Sequence, residues 1–326
     1  MPFDKTVIVP LDPDATFDLV TKPERLRRWQ AIAARVDLHA GGEYRWTIVP
    51  GHSAAGTVRE IEPGRRVVFT WGWEGDDELP PGSSTVAVTL TPINGGTEVR
   101  LVHDGLDDVQ AARHAEGWNH YLDRLVATAE TGDAGPDEWA AVPDPLDELS
   151  SAEAALAVVQ RVLRDFTDGD MSRQTPCAEF TVSQLADHLV RSIMNLGGAV
   201  GAKVDDDPTK PLEIRIADAA QPALEAWRAR GLDGTVTLGA NPMPATMVVG
   251  ILSLEFLVHA WDLAATVDRN VVVDPALAEY VLGLAHTIIP SGDRTGTGFA
   301  EALPAEHTTD SLERLIAYTG RSLSTA

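Results

Sequence analysis

The chain has 326 residues, 44% hydrophobic and 23% charged, close to the usual globular mix, so wholesale disorder is excluded. Its 26 basic against 49 acidic residues give a formal charge of −23, which excludes broad electrostatic attraction to nucleic acid or to an anionic membrane. The single cysteine, Cys177, excludes an intramolecular disulfide and a Cys-based zinc knuckle, and fits a reducing compartment. The first residues, Met1 to Lys5, show no basic segment leading into an apolar run. No stretch approaches the ~18 uninterrupted apolar residues of a membrane span. A cytoplasmic protein without a nucleic-acid or membrane partner is expected.

The length suits two domains. From the N-terminus the signals are mostly β. Lys5–Val9 reads as a strand and Asp14–Val20 as a short helix after Pro13. Arg35–His39, Glu43–Val49, Gly56–Ile61, Arg66–Trp71, Thr85–Thr91 and Thr97–His103 follow, each rich in β-branched or aromatic residues. Gly41-Gly42, Pro50-Gly51, Pro63-Gly64, Pro80-Pro81-Gly82 and Asn94-Gly95-Gly96 separate them with turn chemistry. From Asp107 to about Thr128, Trp118, Tyr121, Leu122 and Leu125 recur at helical spacing. A long helix laid across a curved antiparallel sheet predicts an α+β domain over 1–130 with a cavity between the two layers.

Residues 131–150, TGDAGPDEWAAVPDPLDELS, hold three prolines and six acidic side chains and no basic one, and read as a semi-rigid acidic linker. Trp139 is the residue that would pin it to a neighbour. Residues 151–326 read as helical: Ser151–Thr167, Val182–Val200, Leu212–Arg230, Thr246–Val267, Pro275–Ile289 and Thr309–Ser324. Ser150 or Ser151, Thr181 and Asp274 are the expected caps, and Thr181-Val182-Ser183-Gln184 has capping-box spacing. The product is an all-α bundle with a short strand-like excursion at Gly234–Leu238.

Glu255 and His259 lie four apart in an apolar run. Such residues share a helix face with Cβ atoms roughly 5–6 Å apart, which lets a carboxylate oxygen and an imidazole nitrogen meet one ion at about 2.0–2.2 Å. Leu252, Phe256 and Leu263 turn this face into the bundle, where an unpaired carboxylate is costly. Its partner is an arginine, a second polar side chain or a metal, and the spacing alone also fits an ordinary hydrogen-bonded pair. His188, between Leu185 and Leu189, is a third ligand candidate or else a core histidine bonded to a backbone carbonyl. Two His and one Glu from two helices make a catalytic-type zinc set with an open fourth position. Its net +1 charge favours an anion such as a thiolate.

Around these residues stand three candidate catalytic side chains. Asp262, three after His259, would fix the ring's tautomer, cap a turn or pair with an arginine. Arg191 and Asn195, three and seven after His188, would hold a substrate carboxylate or the polar body of a thiol, or else make interhelix hydrogen bonds. Trp261 is expected to pack the bundle.

The stretch from Thr175 through Cys177, Thr181 and Gln184 to His188-Leu189 resembles the mycothiol-dependent maleylpyruvate isomerase N-terminal family, of the DinB/YfiT-like metal-binding four-helix bundles. Glu255 to His259, followed by Ala260-Trp261-Asp262-Leu263-Ala264, resembles its second motif. The resemblance implies a divalent metal, zinc first, on His188, Glu255 and His259. Glu in the middle matches the isomerase branch, whereas other members commonly use three His. It also implies a low-molecular-weight thiol such as mycothiol as cofactor, so that Cys177 is not expected to be the nucleophile.

Before the linker, Trp29, Gly41-Gly42-Glu43-Tyr44, Gly56 to Ile61, Val68 to Trp71, Leu101 to Gly105 and Gly117-Trp118 resemble the activator of Hsp90 ATPase homologue family. That resemblance implies the START-like helix-grip fold and a cavity for a small apolar or amphipathic ligand. Trp46, Trp71, Trp73 and His103 either line such a pocket or pack the core. His114 and His120 are six apart, off a common helix face, and no second metal site is expected there.

The combined expectation is a metal-dependent transferase or isomerase that uses a thiol on a small electrophile, with an N-terminal domain that binds a small hydrophobic molecule. Maleylpyruvate itself is not the expected substrate. The alternative is a non-catalytic small-molecule binding or stress-response protein with a structural metal.

Overall fold

Seven antiparallel strands form the N-terminal sheet, in the spatial order Phe3–Val9, Gly96–Asp104, Ser84–Ile93, Arg66–Trp71, His52–Glu62, Glu43–Val49 and Ala33–Val36. The computed structural model describes residues 2–177, 180–292, 294, 299–306 and 308–323, and the chain divides into two units, Met1–Asp137 and Glu138–Ala326. The first unit runs β1 (Phe3–Val9), α1 (Pro13–Thr21), α2 (Pro23–Leu26), β2 (Ala33–Val36), β3 (Glu43–Val49), β4 (His52–Glu62), β5 (Arg66–Trp71), β6 (Ser84–Ile93), β7 (Gly96–Asp104) and α3 (Asp108–Thr131). This is the START-like helix-grip arrangement.

Local chemistry explains the ends of these elements. Asp12 caps α1 by accepting from the Ala15 amide, with Pro13 at the first turn. Asp107 and Gln110 close a reciprocal capping box at the start of α3. Trp118, Tyr121, Leu122 and Leu125 are the buried stripe of that helix, as their spacing predicts, and they meet Val88, Val99 and Leu101 of the sheet in one core.

Two strands differ from the expectation. β2 ends at Val36 because the Asp37 carbonyl accepts from the His39 amide and the His39 carbonyl from Gly42, which turns the chain where Arg35–His39 reads as extended. β4 begins at His52, four residues before Gly56. Gly56 is an interior strand residue there, since a Cβ on it would lie 2.1 Å from the Thr70 carbonyl oxygen.

The acidic seam carries more structure than a linker pattern suggests. Arg124 on α3 donates to the carbonyls of Gly135 and Pro136, and His120 Nε2 lies 2.9 Å from Asp137 Oδ1. The second unit then runs α4 (Glu138–Ala141), α5 (Glu148–Leu163), α6 (Val182–Gly198), α7 (Leu212–Arg230), β8 (Thr235–Leu238), β9 (Asn241–Pro244), α8 (Ala245–Thr266), α9 (Pro275–Ile288) and α10 (Ser311–Tyr318). Asp147, not Ser150 or Ser151, caps α5: its carboxylate accepts from the Ser150 amide while Ser150 Oγ accepts from its own amide. A carboxylate three residues upstream outcompetes the serines and draws the helix into the seam. Trp139 is 40% exposed.

Helices α5, α6, α7 and α8 pack into a four-helix bundle, with α9 laid on α8 and α10 on α9. Over 18 residues α8 has a mean hydropathy of 1.6, enough by length and composition to cross a membrane, yet 78% of that window is buried inside the unit. The strand-like excursion is one arm of a hairpin whose second arm, β9, carries Pro242 and Pro244 at its edge. Helix α10 is shorter than Thr309–Ser324 because Gly320, at φ +84, ends it. Ser324 lies outside the described residues.

Candidate functional site

Helix α6 is fixed at its start by the box the spacing predicts: the Thr181 amide donates to Gln184 Oε1 at 2.9 Å, and Thr181 Oγ1 accepts from the Gln184 amide. Seven residues on, His188 faces Glu255 and His259 of α8. Glu255 Oε2 lies 3.1 Å from His188 Nε2 and 3.6 Å from His259 Nε2. The two rings stand edge to face, with centroids 5.2 Å apart. One ligand atom from each residue falls within 4.8 Å of the other two. Among the described residues it is the one group of three or more such side chains so placed.

Glu255 Oε2 is buried and makes no hydrogen bond among the described residues. His188 Nε2 stands at ion-pair distance from it. Burial pushes the Glu255 carboxyl up, but the His188 and His259 imidazoles outweigh it and hold the group below the usual carboxylate range.

Behind His259 stands Asp262, fully buried. Its Oδ2 lies 2.9 Å from His259 Nδ1. Burial would raise the Asp262 carboxyl, but His259 and Arg321 keep it below its ordinary value. An ionised carboxylate only accepts, so Nδ1–H donates, and Nε2 is turned towards Glu255. Burial also lowers the affinity of His259 for a proton, yet Asp262 and Glu255 overcome this and push the ring up to about 9. Any cation at Nε2 therefore competes with a proton.

Two contributors escape the sequence reading. Arg321 donates through Nε and Nη2 to the two oxygens of Asp262, at 2.7 and 2.9 Å. Phe180 stacks on His188 with centroids 5.3 Å apart and planes 23° from parallel. Phe180 immediately precedes the Thr181 cap, the usual place for a hydrophobic residue at a helix entry, and that was a usable signal. Nothing local marks Arg321, which is 59 residues from its partner. Arg191 is exposed on α6, and Asn195, also exposed, lines a groove with Ser192, Thr237 and Ile251. Trp261 is half-buried and packs against the bundle core.

The first unit gathers a different cluster. Trp118 Nε1 donates to His103 Nδ1 at 3.0 Å, so the ring proton sits on Nε2, which donates to Ser84 Oγ at 2.9 Å. Burial pushes His103 down to about 3. Trp73 Nε1 donates to His114 Nε2, and His114 Nδ1 donates to the Gln110 carbonyl. Burial lowers His114 too. His114 and His120 do not meet: the one joins the tryptophans, the other Asp137. Between α3 and the sheet lies a cavity of about 10 Å³, lined by Trp29, Trp46, Phe69, Leu101, Trp118 and Leu122 among others. That is room for one water. The indole N–H groups of Trp46 and Trp71 are buried and have no hydrogen-bond partner among the described residues.

Comparison with known proteins agrees with this division. Residues 10–130 match the family described as activator of Hsp90 ATPase homolog 1-like protein. Residues 152–264, which include His188, Glu255 and His259, match the mycothiol maleylpyruvate isomerase N-terminal domain. An uncharacterized protein of Mycobacterium tuberculosis (strain H37Rv) is 28% identical over 184 residues, 55% of this chain and 99% of that protein. The solution structure of an AHSA1-like protein from Rhizobium etli is 36% identical, covers 43% of this chain and 88% of its own, and has a TM-score of 0.35. A Micromonospora echinospora protein is 25% identical over 42% of this chain and 77% of its own, with a TM-score of 0.35. The chain thus joins an N-terminal AHSA1-like domain to a mycothiol maleylpyruvate isomerase N-terminal domain.

Proposed function

We propose that His188, Glu255 and His259 hold a divalent metal, zinc first, and that the second unit is a thiol-using transferase or isomerase acting on a small electrophile. The observation that carries this reading is the buried Glu255 Oε2, without a hydrogen bond among the described residues and within reach of two imidazole nitrogens. Two nitrogens and one carboxylate oxygen are a zinc donor set, and three protein ligands leave a coordination position for a small molecule. When bound there, the ion would favour a thiol's sulfur as thiolate and so supply a nucleophile at neutral pH.

The chain's own groups fit that role. Asp262 holds the Nδ1 proton of His259 and aims Nε2, while Arg321 neutralises the buried Asp262 carboxylate. Phe180 covers one face of His188 and fixes the plane of its ring. The His188 side chain is still 32% exposed, so a small molecule has a way in.

The first unit takes a small molecule in this reading. Support comes from the buried, unpartnered N–H groups of Trp46 and Trp71, which suit a ligand that presents a hydrogen-bond acceptor. Its lining must part for entry, since the cavity is water-sized.

Metal content by mass spectrometry tests the proposal, with wild type beside His188→Ala and His259→Ala. About one zinc per chain, lost in both variants, is the expected result. Wild type without metal after zinc is offered would reduce the three residues to a buried polar cluster.

A further inference from the structure

The two imidazoles of the cluster are aimed by different means. The last torsion of a histidine side chain is soft, so its ring needs a neighbour to hold it. His259 is held by a hydrogen bond, Nδ1 to Asp262 Oδ2 at 2.9 Å. His188 Nδ1 has no hydrogen bond among the described residues, and its side chain is 32% exposed. What lies against it is the Phe180 ring, 23° from parallel with centroids 5.3 Å apart. A ring stacked this way leaves the imidazole two settings, related by a half-turn. Glu255 Oε2, 3.1 Å from Nε2, selects the one that faces α8.

Phe180 is itself built into place. Its carbonyl accepts from the Thr175 amide at 3.1 Å, from Thr175 Oγ1 at 2.8 Å and from Gln174 Nε2 at 2.9 Å. Its amide donates to the Cys177 carbonyl at 2.9 Å. Around these, Gln174 and Thr181 pair as an antiparallel bridge, and the Val182 amide donates to the Arg173 carbonyl at 3.0 Å. Thr175 is buried, and its hydroxyl also lies 3.1 Å from the Cys177 carbonyl. This is dense anchoring for a residue that only precedes a helix, since the Thr181 cap already satisfies the first turn of α6. The usual partner of an apolar residue before a cap is the fourth helical residue, here Leu185. Phe180 reaches His188, further along the same helix.

We propose that Thr175 and Phe180 are positioning residues for His188. Thr175 fixes the Phe180 backbone, the Phe180 ring fixes the imidazole plane, and Nε2 is thereby kept turned towards Glu255 and His259. The inference rests on the metal reading above and adds how the α6 ligand is aimed: by an apolar stack, where the α8 ligand is aimed by a buried carboxylate. The difference has a chemical consequence. A carboxylate behind a ligating histidine raises its basicity, and a stack does not. His188 is then the weaker donor of the two, and the one whose aim depends on packing.

The test is cobalt(II) titration of the full chain, with affinity read from the visible bands, which also report the coordination geometry. Phe180→Leu keeps an apolar side chain and removes the flat face, Phe180→Tyr keeps the face, and Thr175→Val keeps the shape and removes the hydroxyl. Wild type and Phe180→Tyr should bind cobalt alike, whereas Phe180→Leu should bind about tenfold more weakly and with altered bands. Thr175→Val should lose about threefold alone and nothing further when added to Phe180→Leu, because the hydroxyl acts through the ring. Melting of the metal-free variants separates aim from packing. A Phe180→Leu variant that melts lower but binds cobalt like wild type, with the same bands, would overturn the inference while leaving the metal reading intact. Equal losses in Phe180→Tyr and Phe180→Leu, or additive losses in the double variant, would overturn it too. Wild type that takes up no cobalt would sink the metal reading and the inference together.

Discussion

Arg321 grips both carboxylate oxygens of Asp262, through Nε at 2.7 Å and Nη2 at 2.9 Å. Asp262 passes that order on to His259 Nδ1 at 2.9 Å, so the aim of a candidate ligand is set by a residue near the end of the chain. The pair is buried: the side chains of Arg321 and Asp262 are 9% and 0% exposed.

Asp262→Asn keeps the shape and removes the charge. The amide can present its N–H₂ to Nδ1 and turn the ring over. Zinc affinity, read by competition with a chromogenic chelator, should fall by about 10–100-fold. Arg321→Ala leaves a buried carboxylate half-compensated and should cost about 3–5 kcal/mol of stability in a denaturant titration. Arg321→Lys should recover little of it, because a point charge cannot reproduce two parallel hydrogen bonds.

Glu255→Gln replaces the orphaned oxygen with a weaker donor set of the same size. Zinc added to wild type should slow amide exchange in α6 and α8 together, since the ion would bridge them, by about 2.7 kcal/mol at a hundredfold excess over Kd. Glu255→Gln should show no such change. Protection in the variant equal to wild type would remove Glu255 from the ligand set.

His103 gives a pH dependence independent of any metal. Its folded-state value of about 3 lies below the ordinary 6.5, so the unfolded chain binds the extra proton. The stability it contributes is complete above about 6.5 and is lost progressively as pH falls towards about 3, on the order of a few kcal/mol. Five of the eight tryptophans, Trp29, Trp46, Trp71, Trp73 and Trp118, are in this unit, so fluorescence-detected unfolding follows it. His103→Phe should flatten the acid limb. An unchanged limb would place the titration elsewhere.

Gly197 sits near the end of α6, where a Cβ would lie 2.7 Å from the Ala223 Cβ and 3.1 Å from its Cα. Gly197→Ala must push α6 from α7 and should cost about 1–3 kcal/mol, measurable by thermal unfolding, although alanine is the better helix former.

The sequence carried the pattern-driven parts of this architecture. The Trp118–Leu125 stripe, the Thr181/Gln184 box and the Glu255/His259 spacing are local, and a helix of fixed pitch turns each into a face or a cap. What escaped depends on competition or distance. The helix start at Asp147 was hidden because three nearby side chains can cap and only geometry chooses. The strand character of Gly56 depends on Thr70, on the neighbouring strand. Arg321 was invisible because no periodicity links residue 321 to Asp262. Phe180 was legible in kind, as a residue before a cap, but its stacking on His188 was not.

The matched isomerase-type segment ends at residue 264, and Arg321 lies well beyond it. A fragment trimmed to that segment would keep His188, Glu255, His259 and Asp262 and lose the guanidinium that holds Asp262. Asp262 would then have only His259 to offset its burial, and its orientation behind Nδ1 would rest on that one contact. The smallest piece that retains the cluster's geometry is thus longer than the piece that retains its residues, and domain dissection at the homology boundary would yield a protein with every donor present and His259 no longer held in aim.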